Sequence, residues 1–129
     1  MIAHVAIEVR ARDVAACVRF WALLGFEGAA VPPALQERST WVQSRGMQIH
    51  LLHAEQPEIP REGHVAVVAA DYDATLQTLR EAGFEPQPRT PYWGSPRSFV
   101  RCPGGIASKS WRSPRTDRSL GQHRGDGLS

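Results

Sequence analysis

The chain of 129 residues contains only two cysteines, Cys17 and Cys102, and few long apolar segments. Two cysteines this far apart do not form the repeated spacing of a disulfide scaffold or a zinc knuckle, which excludes both. They are expected to be buried thiols in a reducing compartment. No apolar run approaches the roughly 20 residues that cross a bilayer, and no basic segment precedes the first apolar stretch. We therefore expect a soluble, cytoplasmic protein with no membrane partner.

Lysine is almost absent, and the single one, Lys109, lies in a segment of different composition from the rest of the chain. Residues 1–105 carry ten arginines against eleven acidic residues, whereas residues 106–129 carry five basic and two acidic residues. This predicts one domain over residues 1–105, followed by a basic, disordered tail over residues 106–129. The tail has no packed run of charge and no aromatic residue beyond Trp111, which argues against nucleic-acid binding.

Two segments of the chain resemble each other, HVAIEVRARDVAACVRFWALLGFE from His4 and HVAVVAADYDATLQTLREAGFE from His64. Each begins with His-Val-Ala, alternates apolar residues as a strand does, continues with helical spacing and ends in Gly-Phe-Glu. Asp13 and Asp73 are the predicted helix N-caps. An internal duplication is the economical explanation, with modules over about residues 1–56 and 62–105.

Further strands are predicted behind each helix. In the first module STWVQS and GMQIHLLHA form a hairpin around Arg45-Gly46, and in the second SPRSFVRC is a strand followed by a Pro-Gly-Gly turn. By symmetry one more strand is due after Gly105. The residues there, IASKSW, lack the expected alternation.

Three histidines, His4, His50 and His64, fall on predicted strands at related places. If the strand faces that carry them line one cup, their imidazoles converge, and neutral imidazole is a ligand for Zn, Ni, Fe or Mn. The alternative for each is a half-buried histidine bonded to backbone. The duplication favours the metal interpretation for His4 and His64, because both copies place histidine at the same strand start.

The segments HVAIEV, FWALLGFE, MQIHLLH, GHVAVVAAD, REAGFE and RSFVRCPGG together resemble the vicinal oxygen chelate superfamily, which includes glyoxalase I, extradiol dioxygenases, fosfomycin-resistance thiol transferases and bleomycin-binding proteins. The resemblance implies an α+β fold of two tandem βαβββ modules that form a cupped mixed sheet, usually in a homodimer. It also implies metal ligands on the first and last strand of each module. By position these are His4 and His64 on the first strands and His50 on the last strand of module one.

The sequence departs from the family at the end of module two. Cys102 stands where Asp is usual, and no Glu follows Gly105 to supply the remaining ligand. We therefore expect the last strand of module two to be degraded. A divalent metal, if bound, would be weakly held, because imidazoles alone lack the anionic ligand that offsets its charge.

A shift of the reading frame in the gene accounts for the lost pattern. We assume that Ser108 and Ser110 use TCN codons and read the bases after Gly105 in the shifted frame. The six codons then encode two polar residues, one apolar residue, a residue that can be Glu, and two apolar residues. A natural divergent tail with a chance match is the alternative. Serine codons of the AGY type in an intact frame would exclude the shift.

Three functions are compatible with these residues. The first is a metal-dependent lyase or dioxygenase of the glyoxalase type, in which the metal acts as a Lewis acid on a small oxygenated substrate. The second is a metal-free binding protein of the bleomycin-resistance kind, and the third an inactive relic. The side chains expected to bind the small molecule are three aromatic residues and one arginine, Trp41, Tyr92, Trp93 and Arg97. No catalytic residue is predicted.

Overall fold

The structure, a computed structural model, describes residues 1–92, 94–105 and 108–112. This part of the chain forms eight strands and two α-helices, joined by short loops and single 3₁₀ turns. In chain order they are β1 (His4–Val9), α1 (Val14–Ala22), β2 (Glu27–Ala29), β3 (Ser39–Ser44), β4 (Met47–His53), β5 (His64–Val68), α2 (Tyr72–Glu81), β6 (Gln87–Arg89), β7 (Arg97–Arg101) and β8 (Ser108–Arg112).

The strands form two four-stranded sheets of identical topology. Sheet one has the order β1-β4-β3-β2 and sheet two the order β5-β8-β7-β6. In each sheet the first and last strands of the module pair in parallel, and the remaining neighbours pair antiparallel. The predicted α+β fold of two βαβββ modules is confirmed, and so is the internal repeat.

Glycine ends both helices and helps to form the first hairpin, as predicted. Gly25 and Gly83, just after α1 and α2, have φ of +89° and +91°, a conformation that only glycine adopts without strain. Arg45 and Gly46 have φ of 49° and 79° between paired Ser44 and Met47. Positive φ at both central residues is the type I′ pattern, whose twist matches that of the strands it joins.

The last strand of module two is present, contrary to the expectation that it is degraded. Strand β8 lies in the centre of sheet two, parallel to β5 and antiparallel to β7. The physical reason is that ladder hydrogen bonds join backbone groups and need no particular side chain. The segment predicted as a disordered tail thus contains a strand at residues 108–112. Its remaining residues, 106–107 and 113–129, lie outside the described residues, and the domain boundary at 105 stays a prediction.

The core lies between the sheets and the helices, and α1 links the two modules. Phe20 and Trp21 of α1 are fully buried, and Phe20 meets Phe84 of module two edge to face, with ring centroids 5.1 Å apart. Leu76 and Leu79 are the buried residues of α2. No helix among the residues described has the length and apolar character needed to cross a membrane.

Helix α2 begins two residues earlier than predicted. Its N-cap is Asp71, whose Oδ1 accepts a hydrogen bond from the Ala74 amide at 3.0 Å, so Asp73 lies in the first turn. The periodicity of Leu76 and Leu79 did not distinguish the two aspartates, because both precede the apolar positions. In module one Asp13 is the N-cap as predicted, but its side chain makes no capping hydrogen bond, since a 3₁₀ turn over Ala11–Asp13 leads into α1.

The two aspartates of α2 provide a matched pair of variants. We expect Asp71→Ala to lower the free energy of unfolding by about 1 kcal/mol, because it leaves a helix N-terminal amide without its acceptor. Asp73→Ala removes only a favourable charge near the helix N-terminus and should cost about 0.3 kcal/mol. Urea unfolding of both variants measures the difference. Equal losses would show that Asp71 does not act as the cap.

Candidate ligand-binding faces

Each sheet has one face packed in the core and one open face. On β1, Val5, Ile7 and Val9 pack in the core, which leaves His4 on the opposite face. On β5, Val65 and Val67 pack on the core and His64 is exposed. The period of two in a strand puts alternate residues on opposite faces, so both first-strand histidines lie on open faces, as the alternation predicts.

Three aromatic rings form a stacked column across the open face of sheet one. The ring of His50 on β4 lies 3.9 Å from the Trp41 ring on β3, with an angle of 4° between their planes. On its other side His50 stacks on His4 of β1, at 4.0 Å and 12°. The registers that set Trp41 against His50 and His4 against Gln48 place the three rings side by side. We call Trp41, His50 and His4 the stacked column.

Hydrogen bonds hold the orientation of the column. The Trp41 indole Nε1 donates to the Ser39 hydroxyl at 2.7 Å, and His50 Nε2 lies 2.8 Å from the Gln48 side-chain oxygen. Burial lowers the pKa of His50 below its usual value, and the adjacent His4 imidazole lowers it further. His50 is therefore neutral at neutral pH, and its Nε2 carries the proton that Gln48 accepts.

The column does not have the geometry of a metal site. A metal lies in the ring plane of each imidazole that binds it. The planes of His4 and His50 are nearly parallel and the rings lie face to face, so both cannot contain one ion. His64 lies on the other sheet, and within the described residues no three His, Cys, Asp or Glu side chains are grouped to hold a metal. The residues as arranged do not fit a three-histidine centre, and the metal assignment stays a prediction.

The open face of sheet two carries a second group, which we call the arginine–aromatic cluster: Arg89, Tyr92, Arg97, Phe99 and His64. The ring of His64 meets Phe99 edge to face at 5.0 Å. The guanidinium carbons of Arg89 and Arg97 lie 5.6 and 5.8 Å from the Phe99 ring centre, and that of Arg97 lies 5.1 Å from the ring of Tyr92. Two cations and one imidazole thus surround a single half-buried ring.

Hydrogen bonds position both guanidinium groups of the cluster. Arg97 Nε donates to the Thr90 carbonyl oxygen at 2.6 Å, and Arg89 Nη2 donates to the Gln87 side-chain oxygen at 3.2 Å. The Arg97 bond joins β7 to the residue after β6, and the Arg89 bond lies within β6. The antiparallel pairing of Arg89 with Arg97 brings the two cations to the same end of sheet two.

Two clefts open beside these faces, and His64 lines both. One, of about 700 Å³, has Phe99 among its walls, together with charged side chains that include Arg61, Arg89 and Arg101. The other, of about 720 Å³, lies between the sheets and is lined mainly by residues of β4, of β5 and of the segment that follows α1. Both volumes are typical of clefts that hold small molecules.

The structure brings the predicted site residues together in two groups, not one. Trp41, His4 and His50 belong to the column, and Tyr92, Arg97 and His64 to the arginine–aromatic cluster. Trp93 lies outside the described residues. The sequence analysis missed Phe99 and Arg89. Phe99 alternates with the buried Ser98 and Val100, a pattern that could have placed it on the open face with Arg97.

The register of β8 shows which residue of module two stands where His50 stands in module one. In sheet one Ala6 pairs with His50, and in sheet two Ala66 pairs with Ser110. The repeat aligns Ala6 with Ala66, so Ser110 occupies the register position that His50 occupies in module one. Neither a carboxylate nor an imidazole stands at this position of the chain.

Comparisons with known proteins agree with this fold. The model of the Glyoxalase/Bleomycin resistance protein/Dioxygenase superfamily matches residues 1–108. A protein described as a glyoxalase family member, from Bacillus anthracis, superposes with a TM-score of 0.78 at 19% identity, over 89% of this chain and 95% of that one. The fosfomycin resistance protein FosX from Listeria monocytogenes superposes with a TM-score of 0.72 at 12% identity, over 95% of this chain and 97% of that one.

A variant of the same FosX, solved with Mn(II) and 1S,2S-dihydroxypropylphosphonic acid, superposes with a TM-score of 0.71 at 12% identity and the same coverage of both chains. No curated protein matches the chain in sequence. Likeness at these identities concerns the fold.

A double-mutant cycle tests the stacked column. We expect Trp41→Leu and His50→Leu to be coupled by about 0.5–1 kcal/mol in the free energy of unfolding, because each substitution removes the same ring contact. Urea unfolding of the two single variants and the double variant gives the coupling. The control pair is Trp41→Leu with His53→Leu, whose ring contacts Thr40 and the Glu37 carbonyl instead. Equal coupling in both pairs would contradict specific stacking.

Proposed function

The chain belongs to the Glyoxalase/Bleomycin resistance protein/Dioxygenase superfamily, and from this premise we propose that it binds a small, flat organic anion. The observation that carries the proposal is the arginine–aromatic cluster, where Phe99 is flanked by the guanidinium groups of Arg89 and Arg97 and by His64. A half-buried ring accepts a flat ligand by stacking, and guanidinium groups recognise carboxylates and phosphonates. Binding without metal chemistry is the function that this geometry supports best.

The charge of the cleft favours an anion. Three arginines and two glutamates line it, Arg61, Arg89, Arg101, Glu62 and Glu85, and Arg97 stands beside them across the Phe99 ring. A guanidinium presents several N–H donors in one plane, and the bond to Gln87 orients that of Arg89. FosX, with the same fold, is described with a phosphonic acid, which is an organic anion. This agrees with the proposed ligand class.

The stacked column is proposed as a second contact surface for the ligand. Trp41 is half-buried and His4 exposed, and the column ends at β1, which is an edge strand of sheet one. A flat ring placed there continues the existing stack. We expect Trp41→Ala to weaken the binding of 2-naphthoate about threefold, because Trp41 supports the stack of His50 and His4 on which the ligand ring would lie. Unchanged binding would remove Trp41 from the site.

A titration with matched probes tests the ligand class. We expect 2-naphthoate to bind measurably, 2-naphthalenemethanol to bind more weakly because it lacks the charge, and cyclohexanecarboxylate more weakly because it lacks the flat ring. Arg89→Gln should weaken 2-naphthoate binding about tenfold, the usual loss for one charge-assisted hydrogen bond. Isothermal titration calorimetry provides the affinities.

The control for this titration is Arg80→Gln, which removes an exposed arginine from the last turn of α2. It should leave the affinity for 2-naphthoate unchanged. If the neutral alcohol binds as tightly as the carboxylate, or if both arginine variants lose affinity equally, the proposed anion site is wrong.

A metal-dependent enzyme of the glyoxalase or dioxygenase type is the second candidate. It is favoured by the equivalent positions of His4 and His64, each of which begins the first strand of its sheet. With His50 these are the proposed ligands for Zn, Ni, Fe or Mn, a metal that would supply Lewis-acid chemistry. FosX is described with Mn(II). The stacked rings would have to turn before they could serve together.

Metal content tests the second candidate without an assay of activity. We expect metal-loaded, dialysed protein to retain well under one equivalent, because no carboxylate offsets the charge. Ser110→Glu places a carboxylate at the register position equivalent to His50 and should raise retention of Zn or Mn. Ser110→Gln, which has the length of Glu without its charge, is the matched control and should not. Equal retention in both variants, measured by elemental analysis, would contradict the assignment.

We further propose that the protein is a cytoplasmic homodimer. Both β1 and β5 are edge strands of their sheets, so each offers backbone groups that a second copy can pair with. The reducing cytoplasm agrees with the two cysteine thiols. Sedimentation at several concentrations measures the oligomeric state, and a monomer throughout would refute this part of the proposal.

A further inference from the structure

The two cysteines of the chain come together in the core, although 85 residues separate them. Cys17 lies on α1 of module one, and Cys102 directly follows β7 of module two. The Cys102 thiol donates to Cys17 Sγ at a sulfur–sulfur distance of 3.3 Å, and the Cys17 thiol donates to the Pro103 carbonyl oxygen at 3.4 Å. Both side chains are nearly inaccessible, with 1% and 2% of their surface exposed.

The contact prepares Cys17 for attack on an oxidant. Its hydrogen bond with Cys102 lowers the pKa of the Cys17 thiol, an effect that outweighs burial and the Asp13 carboxylate, both of which raise it. The thiolate is the reactive form of cysteine. A second thiol at contact distance is the arrangement in which a sulfenic acid is converted to a disulfide before it is oxidised further.

We propose that Cys17 and Cys102 are a redox modification site, at which a small hydroperoxide converts the two thiols into a disulfide between the modules. In the first step the Cys17 thiolate attacks a peroxide oxygen, the O–O bond breaks, and a sulfenic acid and hydroxide form. In the second step Cys102 sulfur attacks Cys17 sulfur, the S–O bond breaks, and water leaves. Two thiols and one hydrogen peroxide give one disulfide and two waters, so the cysteines lose the two electrons that the peroxide gains.

Burial selects the oxidant and the product. With 1% and 2% of their surface exposed, the thiols exclude a bulky disulfide such as oxidised glutathione. Hydrogen peroxide is the oxidant of the proposal because it is close to water in size. The 3.3 Å sulfur–sulfur distance needs a shortening of roughly 1.3 Å to reach the usual S–S bond length. The shift is small because the thiols already touch.

The disulfide would join α1 to the end of β7 and so tie module one covalently to module two. It would close a loop of 85 residues, and long loops lose the most chain entropy when they are closed. The ring contact of Phe20 with Phe84 also joins the two modules, without a covalent bond, and Phe20 belongs to the same helix as Cys17. Oxidation would therefore fix a packing that the reduced protein holds by contact alone.

Intact mass tests the proposal on the full chain. Reduced protein is exposed to hydrogen peroxide, denatured in guanidinium chloride with N-ethylmaleimide, and weighed. We expect a loss of about 2 Da with no maleimide adduct, reversed by dithiothreitol, and a cross-linked peptide that contains both cysteines. The melting temperature of the oxidised protein should rise by about 5–10 °C.

Because the chain has only these two cysteines, the wild-type protein alone decides the outcome. Two maleimide adducts after peroxide treatment, oxygen additions of about 32 or 48 Da, or a disulfide-linked dimer would each overturn the proposal. Faster oxidation by glutathione disulfide than by hydrogen peroxide would also overturn it. Cys102→Ser, which lacks the second thiol, is expected to gain about 16 or 32 Da on Cys17 after peroxide treatment, to form no disulfide and to show no rise in melting temperature.

Discussion

The parallel pairing of the first and last strand in each module is the constraint on which both open faces depend. In sheet one it sets β1 beside β4 and so brings His4 against His50, and β3 adds Trp41 on the other side. In sheet two it places β8 between β5 and β7. Without this pairing His4 and His50 would remain distant residues of the chain, as His64 on the other sheet is from both. Backbone hydrogen bonds between strands therefore set which side chains lie next to each other, and the chemistry of those side chains sets which ligands the open faces can bind.

Strand periodicity and the internal repeat predicted both helices and most of the strands, whereas their arrangement in two βαβββ modules was what the resemblance to the superfamily implied. Alternation placed Val5, Ile7 and Val9 in the core, and the two glycines that end the helices have the backbone conformation expected of them. The weaker predictions concerned β8, where the sequence lacks alternation. The alternation of residues in a sequence reflects only the side-chain preferences of a strand. Strand β8 is held instead by backbone hydrogen bonds to β5 and β7, which are distant in sequence.

The candidate site was predictable by residue type but not by grouping. His4, His50, Trp41 and Arg97 were identified from the sequence, and each contacts another member of one of the two groups. The orientation of the rings was not predictable from the sequence. The same histidines can stack face to face or turn their ring planes toward one metal, and the residue types do not distinguish the two arrangements. Phe99 was missed since a single aromatic residue on a strand is usually part of a core. Its alternation with the buried Ser98 and Val100 and its contacts with Arg89 and His64 show its place on the open face.

The central position of β8 also bears on how the chain folds. Sheet one can close as soon as residue 53 has been synthesised, because all its strands lie before that point. Sheet two must wait for residues 108–112, since β5 and β7 are joined only through the strand between them. Until then both strands expose unpaired backbone groups on the side that β8 covers, and exposed strand edges promote aggregation. Because sheet one has the same topology, each module completes its sheet only with its last strand, and a chain synthesised from the N-terminus completes sheet one first.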